Sequence, residues 1–150
     1  HKEALRARAN QLWHTDSCFK IPPALASVLS ARTIPTHGGE TEFVSMRSAW
    51  QRLSPELRAR LGSACAWHDY AHSRGKIAPH LASERERSAM PPVSWRMRWR
   101  NPVNGRDALY IASHTYAIDG LSREDSLRLI DELTALETQP EQIYQHRWQA

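Results

Sequence analysis

Val93-Ser94-Trp95-Arg96-Met97-Arg98-Trp99-Arg100 alternates apolar and polar residues from end to end. A period of two belongs to an extended chain whose successive side chains leave on opposite faces, so the stretch predicts one strand with an apolar and a basic face. Asn101-Pro102-Val103-Asn104-Gly105 follows as a hairpin connection, and Ala108-Leu109-Tyr110-Ile111-Ala112 as the returning strand. Working outward, Leu25-Ala26-Ser27-Val28-Leu29-Ser30-Ala31 after Pro22-Pro23 predicts a buried strand, and Thr41–Val44 and Gln142–Trp148 predict further extended pieces. Met46, Ala49, Trp50 and Leu53 are spaced as on a helix. Ser54-Pro55 opens another, with Ser as N-cap, Pro at the first helical position and Gly62 as the stop. Ser122 with Asp125 imitates a capping box ahead of a stripe of Leu127, Ile130, Leu133 and Leu136 that ends before Pro140. Residues 66–92, rich in His, Arg and Ser, predict an excursion over a surface or a site. Strands separated by long excursions, with helices inserted rather than strictly alternating, predict an α+β or mostly β fold.

The chain has 150 residues, enough for one domain that buries about two-thirds of the surface exposed when unfolded. With 41% hydrophobic residues, 24% charged and a mean hydropathy of −0.62, it contains no apolar run near the ~18–20 residues of a membrane helix. Six glycines and six tryptophans exclude collagen-like, linker and disordered classes. A formal charge of +4 favours anionic partners without distinguishing nucleic acid from a small carboxylate. Cys18 and Cys65 are too few and too distant for a disulfide framework, so a reducing cytoplasm is the expected compartment. The sequence starts at His1 and stops in His146-Arg147-Trp148-Gln149-Ala150, and a fragment cut at both ends is expected.

His14-Thr15-Asp16 is the first stretch that carries chemistry. In an extended segment residues i and i+2 share a face, so imidazole and carboxylate reach one metal ion. The two-His-one-carboxylate arrangement of non-haem iron oxygenases needs one further His and leaves three positions open.

Downstream matches give this tripeptide a context. Asn10-Gln11-Leu12-Trp13-His14-Thr15-Asp16-Ser17, Leu29-Ser30-Ala31-Arg32, Gly38-Gly39-Glu40-Thr41-Glu42-Phe43 with Met46-Arg47, and His72-Ser73-Arg74 follow in order. Pro91-Pro92-Val93, Asn104-Gly105-Arg106, Leu109-Tyr110-Ile111-Ala112-Ser113-His114, and Pro140 through Tyr144-Gln145-His146-Arg147-Trp148 complete the series. Together they resemble the taurine / 2,4-dichlorophenoxyacetate dioxygenase family of iron(II), 2-oxoglutarate-dependent oxygenases, and most of all its phenoxyacetate-degrading branch. The resemblance implies a partial double-stranded β-helix of the jelly-roll kind with inserted helices, residues 1–150 being the central part of a single catalytic domain.

It also implies roles. His14 and Asp16 match the first two iron ligands, and Thr41 matches the hydroxyl that bonds the distal carboxylate of 2-oxoglutarate. His114 matches a His near the substrate pocket of the branch, with a plain strand cap as its other reading. Cys18 stands where the branch more usually has Ser, beside the iron, and is a second candidate substrate contact. The third iron ligand and the Arg that anchors 2-oxoglutarate lie, in the family, beyond a Trp-Asp-Asn motif expected after Trp148. None of His37, His68, His72, His80, His114 or His146 sits in that motif, and the fragment alone is expected to be inactive. The implied cofactors are Fe(II), 2-oxoglutarate and O2, with ascorbate helpful in assays. The implied reaction hydroxylates an aryloxyacetate at the carbon beside the ether oxygen, giving a hemiacetal that collapses to a phenol and glyoxylate. Taurine or another sulfonate or carboxylate is the alternative substrate. The expected partner is a small anionic molecule, with no nucleic acid or membrane, and a homo-oligomer is left open.

Two patterns point elsewhere. His68 and His72, at i and i+4, would face one zinc ion on a helix, but no Glu follows the first His and a solvated or lid-borne pair is expected. Arg96, Arg98 and Arg100 interleaved with Trp95 and Trp99 offer the rival reading of a single-stranded nucleic-acid-binding module, and a strand with a solvated basic edge explains them more simply.

Overall fold

Helices and short antiparallel strands alternate irregularly along residues 2–149, the span that the computed structural model describes. Helix α1 (Lys2–Asn10) is followed by strand β1 (Thr41–Val44), α2 (Met46–Arg52), α3 (Pro55–Leu61), β2 (Cys65–His68), α4 (Tyr70–Gly75) and α5 (Glu84–Ala89). Then come β3 (Val93–Arg96), β4 (Arg98–Arg100), β5 (Asp107–Leu109), β6 (Thr115–Ile118), α6 (Arg123–Glu137) and, after a 3-10 turn, β7 (Ile143–His146). More described residues are helical than extended, so the α+β half of the expectation describes the chain.

The alternating stretch at 93–100 is two strands, not one. β3 pairs antiparallel with β2, in a sheet ordered β3-β2-β6, whereas β4 pairs with β5 in a separate hairpin. The chain changes partners at Met97. Its N–H donates to the Ala64 carbonyl at 2.9 Å and its own carbonyl accepts from Tyr110 N–H at 2.7 Å. Met97 is fully buried, while Trp99, on the same nominal face, is 39% exposed. The hairpin turn closes as its residues suggest: the Asn101 side chain accepts from the Val103 and Asn104 N–H groups, and Gly105 takes a φ of +67°. Only Asp107–Leu109 of the returning stretch is laddered, because Tyr110 already follows the switch at Met97.

Helix starts follow the sequence signals. Ser45, Ser54 and Ser122 each accept a backbone N–H three residues on, Pro55 sits in the first turn of α3, and Gly62 ends it. α2 packs on β5 and α6 on β6, enclosing a core that includes Trp50, Leu61, Met97, Leu109, Ile118 and Ile130. The buried stripe of α6 is Ser126, Leu129, Ile130, Leu133 and Glu137, rotated from the predicted one, and Leu136 is 41% exposed. The rotation has a polar cause. Ser126 Oγ accepts from Ile118 N–H at 3.0 Å and donates to the Ser122 carbonyl at 2.8 Å, fixing which face of α6 meets β6.

Two expectations fail. Residues 25–31 form no strand, and Leu25 and Val28 stand almost wholly exposed, because no partner strand or covering layer lies against them among the described residues. The surface excursion expected over residues 66–92 does not start at 66: β2 is the centre of the three-stranded sheet, with Ala66 and His68 both fully buried, while Glu84–Ala89 has no buried residue. A His at an inward position hides the alternation, and the strand is only four residues long.

Glu137 is the exceptional member of the α6 stripe. Burial pushes its carboxyl from the usual 4.5 up to about 8, against a smaller lowering by the Arg52 cation. The folded chain then holds a proton that the unfolded chain releases, so stability falls as pH rises from about 4.5 to about 8. Urea unfolding at the two ends of that window should show a decline that Glu137→Gln flattens. An equal decline in the variant would assign the pH dependence to other groups.

Candidate active site

Residues 12–15 leave α1 without regular structure, a turn starts at Asp16, and the segment is pinned at Trp13 and Cys18. Ser113 N–H donates to the Trp13 carbonyl at 2.8 Å, and the Trp95 indole donates to the Cys18 carbonyl at 2.7 Å. Between these anchors His14 and Asp16 emerge together, with His14 Nε2 3.3 Å from Asp16 Oδ1.

The hydrogen bonds around the pair decide what it can hold. His14 Nδ1 lies 2.7 Å from the Leu12 carbonyl, which only accepts, so Nδ1 carries a hydrogen and Nε2 is the ring nitrogen left to face Asp16. The other Asp16 oxygen, Oδ2, accepts from the Ser27 hydroxyl. A ring nitrogen and a carboxylate oxygen at this separation are joined by a cation, a proton or a metal ion, and an imidazole nitrogen with a carboxylate oxygen suits a ferrous ion. The donor set therefore fits the metal that the sequence implies.

His14 and Asp16 line a cleft of about 1100 Å³ together with Ser27, Thr41, His146 and Trp148. Thr41 comes to it on β1, paired with His146 of β7, and its Oγ1 accepts from the Trp148 indole at 3.0 Å. Three of the five sequence candidates thus share one cavity. Cys18 and His114 do not. They form a buried pair, Sγ to Nδ1 3.5 Å, under Phe19, Tyr110 and Ala112, with the His114 ring 6.5 Å from that of His14. Both are candidate substrate contacts from the sequence, and in this structure neither side chain is more than 3% exposed. Burial pushes the Cys18 thiol up to about 12 and, reinforced by the Arg74 cation, pulls His114 down to about 3, so both are neutral at ordinary pH.

His68 and His72 lie on a strand and on a helix, so their i, i+4 spacing never becomes a shared face. Burial pulls both down to about 4. Among the described residues no three His, Cys, Asp or Glu side chains are grouped for one ion. The basic strand offers little to nucleic acid: Arg98 is ion-paired with Asp107 at 2.8 Å, and Trp95 and Trp99 stack on each other at 6.0 Å. Ser27 and Trp148 are site residues that spacing alone does not reveal. Trp148 does fall within the last matched stretch, whereas Ser27 carries no signal beyond its residue type.

The family model described as taurine catabolism dioxygenase TauD, TfdA family matches residues 1–150. The chain belongs to this family. It is 40% identical, over 147 residues, to the alpha-ketoglutarate-dependent 2,4-dichlorophenoxyacetate dioxygenase of Cupriavidus pinatubonensis, covering 98% of this chain and 51% of that protein. It is 35% identical to the (S)-phenoxypropionate/alpha-ketoglutarate-dioxygenase of Sphingobium herbicidovorans, covering 94% and 51%. Among solved structures it superposes on AAD-2 in complex with Mn(II) and N-oxalylglycine, with a TM-score of 0.93 and 35% identity over 99% of this chain and 54% of that one. A family member named as a taurine dioxygenase, from Burkholderia xenovorans, gives a TM-score of 0.77 and 26% identity over 95% and 46%. The chain spans about half the length of the curated relatives it matches.

Proposed function

We propose that the protein carrying this chain is an iron(II)- and 2-oxoglutarate-dependent dioxygenase that cleaves aryloxyalkanoates, and that these residues form the central part of its jelly-roll catalytic domain. The observation that carries the reading is the 3.3 Å approach of His14 Nε2 to Asp16 Oδ1 on the wall of a cleft shared with Thr41. The phenoxyalkanoate relatives support the substrate class. The two free thiols, Cys18 and Cys65, support a cytoplasmic setting.

His14 and Asp16 would hold the iron. With 2-oxoglutarate and O2 bound, that ion supplies the oxidising chemistry that hydroxylates an otherwise inert C–H bond while 2-oxoglutarate becomes succinate and CO2. The chain's own groups bind and orient. The Leu12 carbonyl fixes the His14 tautomer and ring, the Ser27 hydroxyl fixes the Asp16 carboxylate, and the Thr41 hydroxyl donates to the distal carboxylate of 2-oxoglutarate. On an aryloxyacetate, hydroxylation beside the ether oxygen leaves a hemiacetal that falls apart to a phenol and glyoxylate.

The test is succinate release by the protein that carries this chain, supplied with Fe(II), ascorbate and 2-oxoglutarate. Phenoxyacetates should drive faster release than taurine, with phenol formed in step. Faster release with taurine would move the protein to the sulfonate side of the family, and release with no carboxylate or sulfonate tried would overturn the substrate class.

A further inference from the structure

Thr41 and Trp148 lie 107 positions apart in sequence, yet the Trp148 indole Nε1–H reaches Thr41 Oγ1 at 3.0 Å. The strand pairing makes this possible. Thr41 on β1 is registered against His146 on β7, and two residues beyond that partner the indole folds back beside Thr41. Its ring is held edge-on to His146, 4.5 Å between centroids at 82°, so the N–H has a fixed direction.

An indole N–H can only donate, whereas a hydroxyl has one hydrogen to give and lone pairs to receive. With a lone pair of Thr41 taken by Trp148, the hydroxyl hydrogen is the part left free, and Thr41 makes no other side-chain hydrogen bond among the described residues. Both residues line the cleft that holds His14 and Asp16. A hydroxyl that accepts one hydrogen bond also becomes a better donor of the next.

We propose that Trp148 is a positioning residue for the cosubstrate: by donating to Thr41 it turns the threonine hydroxyl hydrogen into the cleft, ready for a carboxylate. The inference rests on the reading of Thr41 as the group that receives 2-oxoglutarate. Trp148 acts through Thr41, so its effect should vanish when the Thr41 hydroxyl is absent.

The experiment is a calorimetric titration of the Mn(II)-loaded protein that carries this chain with 2-oxoglutarate, with the Mn(II) affinity measured separately. Trp148→Phe keeps an aromatic ring against His146 and removes the N–H. It should weaken 2-oxoglutarate binding by about 2- to 12-fold, the range of one net hydrogen bond, with Mn(II) affinity unchanged. In turnover the loss should fall on KM for 2-oxoglutarate rather than on kcat. 3-Benzothienylalanine at position 148 keeps the bicyclic shape without the N–H, and should reproduce the loss even if the phenylalanine variant folds poorly. Thr41→Val should weaken binding on its own, and adding Trp148→Phe to it should change nothing further. Wild-type affinity in both position-148 variants, or an undiminished Trp148 effect in the Thr41→Val background, would overturn the proposal. Undiminished binding by Thr41→Val would instead overturn the reading of Thr41 itself.

Discussion

Asp16→Ala in the protein that carries this chain is expected to abolish 2-oxoglutarate-dependent succinate release. The variant leaves His14 Nε2 facing no carboxylate, and the 3.3 Å pair that fits a ferrous ion becomes a single imidazole. Loss of an outer partner of a metal ligand costs roughly 10- to 100-fold in metal affinity or activity, and removing a ligand should exceed that range. Ser27→Ala, which frees Asp16 Oδ2 but keeps the carboxylate, should fall within it. Mn(II) titration orders the three proteins independently of turnover: wild type tightest, then Ser27→Ala, then Asp16→Ala. The Asp16 side chain is 52% exposed, so the fold should survive and thermal unfolding should barely move. Succinate release by Asp16→Ala within tenfold of wild type would remove the residue from the metal site.

Met97→Ala should destabilise the fold strongly. Met97 is fully buried at the point where the chain leaves the sheet containing β3 for the hairpin containing β4, among Leu109, Ile118 and the apolar face of α6. Truncating a buried Met to Ala costs about 2–5 kcal/mol through lost apolar transfer and the cavity left behind. Trp99→Ala, on the same nominal face but 39% exposed, should cost less despite the larger side chain removed. Urea unfolding of the two variants checks the order. Equal losses would mean that residues 93–100 behave as the uninterrupted strand their alternation suggests.

That pair of residues shows where sequence periodicity ran out. Alternation specifies faces, but not which neighbour a strand pairs with, and the change of partner at Met97 is set by Ala64 and Tyr110. Local signals served well where the physics is local: Ser54, Pro55 and Gly62 bound α3, and Asn101 with Gly105 closes the hairpin. They failed at residues 25–31, where apolar character was read as burial without a partner, and at β2, where a neutral buried His took an inward position. In α6 a buried serine, not the leucine spacing, chose the inward face. The site followed the same rule. His14 and Asp16 are two residues apart and their proximity is legible from spacing, and the place of Thr41 beside them came from the resemblance. Ser27 and Trp148 act across 11 and 107 positions, through contacts that only the folded chain creates.

The pairing of β1 with β7 has a consequence for how the protein is made. Thr41 is translated well before its strand partner His146 and its hydrogen-bond donor Trp148, which come about a hundred residues later. At ribosomal rates of roughly 5–20 residues per second, the first wall of the cleft waits on the order of 5–20 seconds for the other. Through that interval His14 and Asp16 have been translated while β7 has not, so the emerging polypeptide has one side of its cleft unbuilt. The wall of the cleft that carries Thr41 is therefore finished only once Trp148 has left the ribosomal exit tunnel.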